Sequence, residues 1–99
     1  MFEWKAYTYI MTNHTHSVLY IWVTSDLHKR LHQHKQKVYD KSFTAKYNCD
    51  MLVYYEEWYE LWAAIEREKQ LKKRSKVKKI NLINTQNPER EDLSREIVK

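Results

Sequence analysis

The N-terminal part of the chain contains two short runs in which apolar and polar positions alternate, Tyr7–Thr12 and Val18–Thr24. Each run is rich in aromatic and β-branched residues, and a period of two is typical of a strand that buries one face. The polar segment Asn13–Ser17 lies between the runs and has the composition of a turn. The pattern therefore predicts a β-hairpin near the start of the chain.

After the hairpin, the apolar positions follow helical spacing. Ser25 and Asp26 are residue types that cap helix N-termini, and Leu27 and Leu31 follow at a spacing of four. The same two periodicities predict the remaining elements, which are a first helix ending near Val38, a loop at 40–50, a third strand at Met51–Glu57, and helices at about Tyr59–Lys73 and Ser75–Asn84.

The predicted order of elements is β-β-α-β-α-α. With 99 residues, the chain is long enough for one small domain with a single core. A three-stranded antiparallel sheet exposes apolar faces that helices must cover. The predicted fold class is therefore α/β of the α+β type, a small three-stranded antiparallel sheet flanked by about three helices.

The second predicted helix has an acidic residue in its apolar stripe. The stripe consists of Leu61, Ala64, Ile65, Glu68 and Leu71. A carboxylate that faces protein costs free energy unless it is paired with a cation or binds a metal ion. Glu68 is therefore a candidate for chemistry, with a salt bridge to Lys72, four residues later, as the alternative.

Two further predictions concern the direction of side chains. In the third strand, strict alternation places Leu52 and Tyr54 on one face of the sheet and Met51, Val53 and Tyr55 on the other. In the third helix, Val77, Ile80 and Ile83 are predicted to face inward.

Charge and cysteine content narrow the class of protein. The formal charge is +5 and the pI is about 9.3, which favours a polyanionic partner. The single cysteine, Cys49, excludes an internal disulfide and a cysteine-based zinc site, and it is typical of a reducing compartment. The longest apolar run, Val18–Val23, is too short to span a membrane, and the N-terminus lacks an apolar signal core. We therefore predict a cytoplasmic protein without a membrane segment or an obligate protein partner.

Several polar residues of the hairpin and the first helix form a pattern that the packing of a hydrophobic core does not explain. Thr8-Tyr9 lies in the first strand, Tyr20-Ile21 lies in the second, and Arg30 and His34 share one face of the helix at a spacing of four. With these residues the chain resembles the GIY-YIG nuclease domain family, in its small stand-alone subgroup. The later segments that fit the family are Phe43–Tyr47, Leu52–Glu57, Ala64–Leu71 and Asn87-Pro88, so the match covers about residues 6–93.

The resemblance implies a metal-dependent endonuclease that hydrolyses DNA phosphodiester bonds. Tyr20 would help to activate water, and Arg30 would stabilise charge on the phosphate. His34 and Tyr9 would assist proton transfer and positioning, while Glu68 would hold one Mg²⁺ or Mn²⁺ ion. Because a free tyrosine has a pKa near 10, a tyrosine base at neutral pH needs a nearby cation or metal. The resemblance also implies that residues 1–99 form a single domain of this type, and we predict that residues 94–99 fray.

The chain contains no glycine, whereas average usage predicts about seven. In the resembled family, glycine stands at the positions of Tyr7 and Trp22, and commonly at Ser17 and Ser42. In an alternating strand Trp22 points the same way as Tyr20, so its indole either obstructs the site or stacks on a base. The residues predicted to adopt the left-handed backbone conformation in place of glycine are Asn13, Asn48 and Asn87.

The segment Glu66–Lys79 contains six lysines, two arginines and two glutamates, so its net charge of +6 exceeds the +5 of the whole chain. A patch of this kind beside Glu68 favours contacts to a nucleic-acid backbone that do not depend on sequence. The alternative is a solvated pair of helices. The candidate nucleic-acid-binding residues are Lys69, Lys72, Lys73, Arg74, Lys76 and Lys79.

Three functions remain open on the sequence alone. The first is the endonuclease, acting on duplex or branched DNA, with RNA as a further candidate substrate. The second is a nucleic-acid-binding module of the same fold with impaired catalysis, and the third is a glycine-free scaffold variant without function. A zinc site is disfavoured, because His14 and His16 lie in a turn and His28 and His32 lie on a different helix face from His34.

Overall fold

The computed structural model describes residues 5–36 and 46–97, and within these ranges the predicted order of elements is confirmed. The strands are β1 (Ala6–Thr12), β2 (Leu19–Thr24) and β3 (Met51–Trp58). The helices are α1 (Leu27–Gln36), α2 (Leu61–Lys73), α3 (Lys76–Gln86) and the short α4 (Ser94–Ile97). The predicted end of the first helix and most of the predicted loop at 40–50 lie outside the described residues.

The three strands form one antiparallel sheet in the order β2-β1-β3, which confirms the α+β prediction. In the central strand β1, Tyr9 pairs with Trp22 of β2, and Met11 pairs with Tyr20. Residues that face each other across antiparallel strands point to the same side of the sheet. Tyr9, Tyr20 and Trp22 therefore share one face.

The pairing of β1 with β3 contains a β-bulge, and the strict alternation predicted for β3 is wrong. Ile10 pairs with Tyr54 while Met11 pairs with Leu52, so Val53 is the extra residue. Val53 and Tyr54 consequently pack into the same apolar cluster, while Leu52 packs into the cluster on the opposite face. The bulge thus supplies apolar side chains to both faces of the sheet.

Each face of the sheet has its own apolar cluster, where the sequence had suggested a single core. The face covered by α1 contains Tyr9, Met11, Leu27, Leu31, Cys49, Leu52 and Leu93. The face covered by α2 and α3 contains Ile10, Ile21, Val53, Tyr54, Leu71 and Ile83. Full burial of one such aliphatic or aromatic side chain contributes about 1.5–3 kcal/mol, so these residues fix each helix against the sheet.

The first turns of α2 and α3 are more exposed than the apolar stripes predicted. Leu61 is 44% exposed and Val77 is 67% exposed, so the inward orientation predicted for these two residues is wrong. Both lie within the first two residues of their helices, whereas the buried Ala64, Leu71 and Ile83 lie further along. The helices therefore reach the sheet only after their first turn.

The C-terminal segment forms the short helix α4, and residues 98–99 of the segment predicted to fray lie outside the described residues. The Leu93 amide donates to the Leu52 carbonyl at 2.7 Å. Asp92 Oδ1 accepts from the backbone amides of Leu52 and Ser94, and Ser94 is buried. These hydrogen bonds attach the segment to β3.

Left-handed backbone conformations occur at His16, Asn48 and Arg90, with φ of 59°, 55° and 52°. The prediction for Asn48 is confirmed, whereas the predictions for Asn13 and Asn87 are wrong. Asn13 and Asn87 instead stabilise their turns through the side chain, because each amide oxygen accepts from the backbone amide four residues later.

Candidate active site

Helix α1 holds Arg30 and His34 in a fixed orientation. The helix start predicted at Asp26 is confirmed, because Asp26 Oδ1 accepts from the backbone amide three residues later at 3.0 Å. Leu27 and Leu31 are buried against the sheet and set the rotation of the helix. Arg30 and His34 lie on the same side, as their spacing predicted, and both contact Tyr9.

Tyr9 is fully buried and lies between the two α1 residues. Its hydroxyl lies 3.1 Å from His34 Nε2, and the Arg30 guanidinium is close enough to lower the pKa of its phenol. Burial raises the pKa of Tyr9 far above 10, with a further contribution from Tyr20, and Arg30 only partly opposes this. Tyr9 is therefore a protonated phenol at neutral pH, and it positions its neighbours.

His34 is neutral under ordinary conditions. Burial, assisted by the positive charge of Arg30, lowers the pKa of His34 to about 4. A neutral imidazole accepts from the Tyr9 hydroxyl at Nε2 when its proton is on Nδ1, and it donates to that hydroxyl when its proton is on Nε2. In the free protein His34 is thus a neutral hydrogen-bond partner of Tyr9 rather than a cation.

Tyr20 lies on the same face, at the border between the core and solvent. Its ring makes an edge contact with the His34 ring, with centroids 5.8 Å apart. It also stacks on the Trp22 ring, with centroids 6.0 Å apart and an interplanar angle of 18°. This confirms that Trp22 points the same way as Tyr20. Trp22 is 40% exposed and forms the outer edge of the site.

The charges around Tyr20 act in opposite directions. Burial raises the pKa of Tyr20, Arg30 lowers it, and Cys49 and Glu68 raise it further. Arg30 and Glu68 are therefore both within electrostatic reach of the phenol, although they belong to helices on opposite faces of the sheet. The phenol is protonated at neutral pH in the free protein.

Glu68 makes the salt bridge that the sequence offered as the alternative to a metal. Lys72 Nζ lies 3.1 Å from Glu68 Oε1, and the Glu68 side chain is only 15% exposed. The same ammonium lies 4.2 Å from the centroid of the Trp22 ring, within the range of a cation–π interaction. Because β2 is an outer strand, Lys72 meets Trp22 at the edge of the sheet.

The donor set at Glu68 fits a hard divalent cation held by one carboxylate. Magnesium commonly takes one or two carboxylates and completes its coordination with water and substrate phosphate. Among residues 5–36 and 46–97, no group of three or more histidine, cysteine, aspartate or glutamate side chains could hold a metal. Glu68 would therefore depend on water and substrate for the other ligands, and Lys72 would have to leave.

The basic run is partly engaged with the rest of the protein. Lys76 Nζ donates to the Ser17 carbonyl at 2.7 Å, and Lys69 lies 4.0 Å from Glu66. Arg67 is held by Glu56 on β3 at 2.9 Å, so its charge is neutralised inside the fold. Of the predicted nucleic-acid-binding residues, Lys79 is half-buried, and the exposed ones are Lys69, Lys72, Lys73, Arg74 and Lys76.

The structure brings Tyr9, Tyr20, Arg30 and His34 into one cluster and places Glu68 at its edge. Sequence reasoning missed that Lys72 lies inside the site, since it treated this residue as part of a nucleic-acid patch and as an alternative partner. The available signal was the spacing of four from Glu68 on a helix that packs beside an outer strand. No local sequence pattern indicated the contact between Lys72 and Trp22.

In the part of the chain that the structure describes, no helix is both long enough and apolar enough to cross a membrane.

Comparison with known proteins agrees with the geometry. Residues 5–81 match the family described as the GIY-YIG catalytic domain. A UPF0213 protein from Syntrophus aciditrophicus (strain SB) is 36% identical over 86 residues, which cover 87% of this chain and 97% of that protein. The search of solved structures found no significant match. The family match indicates a nuclease-type function with a nucleic-acid substrate.

Proposed function

Because the chain belongs to the GIY-YIG family of catalytic domains, we propose that it is an endonuclease that hydrolyses DNA phosphodiester bonds with one Mg²⁺ or Mn²⁺ ion. The observation that carries the proposal is the contact of Arg30 and His34 with a buried tyrosine, directly beside Tyr20. The buried thiol of Cys49 supports a cytoplasmic location.

Arg30 is the residue suited to the phosphate. It is partly exposed, and a planar guanidinium can donate to two phosphate oxygens at once. Its position beside the buried Tyr9 orients it before substrate arrives. A donor held in place in this way stabilises developing charge without reorganisation during the reaction.

Tyr20 and His34 are the residues suited to accept and transfer the proton of the attacking water. The Tyr20 phenol is protonated in the free protein, so it can donate a hydrogen bond to water or to a phosphate oxygen before it acts as a base. The neutral His34 ring lies next to it and can accept or relay a proton. Arg30 shifts both groups towards the form that lacks the proton, since it lowers both pKa values.

Glu68 would hold the divalent ion. Bound there, the ion would stabilise the phosphate as a Lewis acid and add positive charge beside the Tyr20 phenol, which favours its deprotonated form. The partly buried carboxylate and its influence on the Tyr20 pKa support this assignment.

A nucleic-acid-binding module with impaired catalysis is the second candidate, and one observation favours it. Trp22 stacks on Tyr20, and Lys72 lies over the Trp22 ring while it pairs with Glu68. The catalytic phenol and the candidate metal ligand are therefore both covered in the free protein. An indole that stays in this position would obstruct the phenol, and the protein would bind nucleic acid through its basic run without cutting it.

The test is a plasmid-nicking assay with and without Mg²⁺ and Mn²⁺, beside the same assay on RNA. Glu68→Ala should abolish metal-dependent cutting and leave the fold intact or more stable, because it removes a partly buried carboxylate. Glu66→Ala is the matched control, since Glu66 lies on the same helix and is exposed. Binding without cutting by the parent would favour the binding module. A loss of several kcal/mol of stability in Glu68→Ala would make Glu68 a structural ion-pair residue.

A further inference from the structure

The Lys72 ammonium is shared between two groups of the site. It lies 3.1 Å from the Glu68 carboxylate and 4.2 Å from the centre of the Trp22 ring. The first contact is ionic and the second is a cation–π interaction, so the two act together on one charge. Lys72 therefore occupies the space between the candidate metal ligand and the outer edge of the site.

The two partners of the ion pair differ in their access to solvent. The Lys72 side chain is 43% exposed, whereas the Glu68 side chain is 15% exposed. Lys72 also belongs to the basic run, which is where a polyanion would be attracted. An approaching phosphate therefore meets the lysine before it meets the carboxylate. The flexible four-carbon stem of lysine allows its ammonium to turn towards such a phosphate.

Lys72 and a divalent cation require the same carboxylate. An ammonium at 3.1 Å from Oε1 satisfies the charge of Glu68 and competes with a metal ion for its oxygens. Removal of the ammonium leaves a largely buried negative charge, which raises the affinity for any cation that replaces it. The ion pair thus keeps the metal affinity of the free protein low.

We propose that Lys72 couples the binding of nucleic acid to the binding of the metal ion. In the free protein its ammonium pairs with Glu68, and when nucleic acid binds, the ammonium transfers to a backbone phosphate and releases the carboxylate for a divalent cation. This inference rests on the proposed function of the same site. Lys72 acts through Glu68 and is a positioning residue.

Coupling of this kind is reciprocal. If a polyanion raises the affinity for the metal by some factor, the metal raises the affinity for the polyanion by the same factor. Such couplings are typically about 5–150-fold, and a half-exposed ion pair belongs at the low end of that range. We expect about five- to tenfold.

The experiment measures Mn²⁺ binding to the full chain by electron paramagnetic resonance, without turnover. The nucleic acid is a short phosphorothioate DNA duplex, which keeps the backbone charge and resists hydrolysis. Lys72→Met keeps the length of the stem and removes the charge. Lys29→Met removes the same charge from an exposed position of α1, outside the basic run, and is the matched control. Lys72→Gln provides a second substitution in case the first is poorly folded, and Glu68→Ala identifies the Mn²⁺ bound at the site.

Without the duplex, Lys72→Met should bind Mn²⁺ about five- to tenfold more tightly than the parent, and Lys29→Met should stay within about twofold. The duplex should raise the Mn²⁺ affinity of the parent and of Lys29→Met, and it should raise that of Lys72→Met distinctly less. Equal Mn²⁺ affinities of Lys72→Met and Lys29→Met would overturn the coupling. Mn²⁺ binding that Glu68→Ala leaves unchanged would overturn it as well, together with the ligand assignment.

The same variants separate this inference from the nuclease proposal. Plasmid cutting by Lys72→Met with a Mn²⁺ affinity no higher than that of Lys29→Met would refute the coupling and leave the nuclease standing. A Mn²⁺ affinity that depends on Lys72, in a protein that cuts no plasmid or RNA, would support the coupling and refute the nuclease.

Discussion

Helices α1 and α2 both supply charged groups to the site, but they hold them in different ways. On α1, Arg30 and His34 contact a buried tyrosine of the neighbouring strand. On α2, Glu68 pairs with a lysine of its own helix, and that lysine is almost half exposed. The α1 groups are fixed by tertiary contacts, while the α2 group is held by a local, solvent-accessible pair.

Under the proposed function, the difference separates the part of the site that is ready in the free protein from the part that would have to rearrange. Preorganised donors stabilise charge in a transition state without further movement. A surface ion pair one helical turn apart contributes little stability, and a stronger ligand breaks it easily. Substitutions on α1 should therefore affect the chemical step, and substitutions around α2 should affect binding.

The largest effect is expected for Arg30→Ala. It should lower kcat of plasmid cutting by about 10²–10³-fold, the usual effect of removing one preorganised donor, with little change in DNA affinity. Lys29→Ala is the control, since Lys29 is exposed on the same helix. Single-turnover cleavage and filter binding provide the two quantities. An equal loss of affinity and no loss of kcat would place Arg30 with the binding residues and contradict the division between the helices.

Lowering the pH should destabilise the protein, because His34 of α1 is partly buried in its neutral form. The unfolded histidine has a pKa near 6.5, and the folded pKa is about 4, so between these values only the unfolded chain binds the proton. The free energy of unfolding should therefore fall as the pH falls from about 6.5 to 4, by about 2 kcal/mol. Urea unfolding at several pH values measures this. His34→Gln should remove this part of the slope, and an unchanged slope would contradict the burial of the ring.

Trp22→Gly should raise the rate of cutting several-fold if the indole obstructs the site, because it uncovers Tyr20 and removes the cation–π contact of Lys72. Glycine in a strand costs about 0.5–1 kcal/mol, so circular dichroism must show that the variant is folded. Trp22→Phe is the control that keeps an aromatic ring. Robust cutting by the parent, abolished in a folded glycine variant, would make the indole a base-stacking part of the working site.

The smallest effects are expected for single charge reversals in the basic run. Lys73→Glu should weaken binding to all DNA sequences alike, and it should flatten the plot of log affinity against log salt concentration by roughly one unit for each phosphate that the variant no longer neutralises. Arg95→Glu, which reverses an exposed charge on α4, should not change that slope. Identical slopes for both variants would indicate that the basic run is only a solvated surface.

The elements of the fold were predictable because their signals are local. The hairpin, the Asp26 cap and the Ser75 cap of α3 follow from residue type and periodicity, and Ser75 Oγ does accept from the Lys78 amide. The bulge at Val53 was not predictable, since it depends on how β3 pairs with β1. The periodicity of apolar residues is a property of a single strand, whereas the pairing register depends on both strands.

The candidate site shows the same limit. The spacing of Arg30 and His34 placed them on one face, but their common contact with Tyr9 requires the packing of α1 on the sheet. The Glu68 pair was visible at a spacing of four, whereas its competition with a metal became apparent only with Lys72 lying over Trp22. Sequence patterns thus placed the candidate residues on shared faces, and tertiary packing determines their contacts and protonation states.

The free edge of the outer strand β3 has a consequence for solubility. The free edge of β3 is covered, because the Gln86 side chain bonds to both the amide and the carbonyl of Tyr55. Asn87 Nδ2 donates to the Val53 carbonyl, and the Leu93 amide donates to that of Leu52. Uncovered strand edges pair readily with other chains and lead to aggregation. The segment from Gln86 to Leu93 therefore protects this edge from pairing with other chains. We expect a chain that ends before residue 86 to aggregate, which would prevent an assay of its activity.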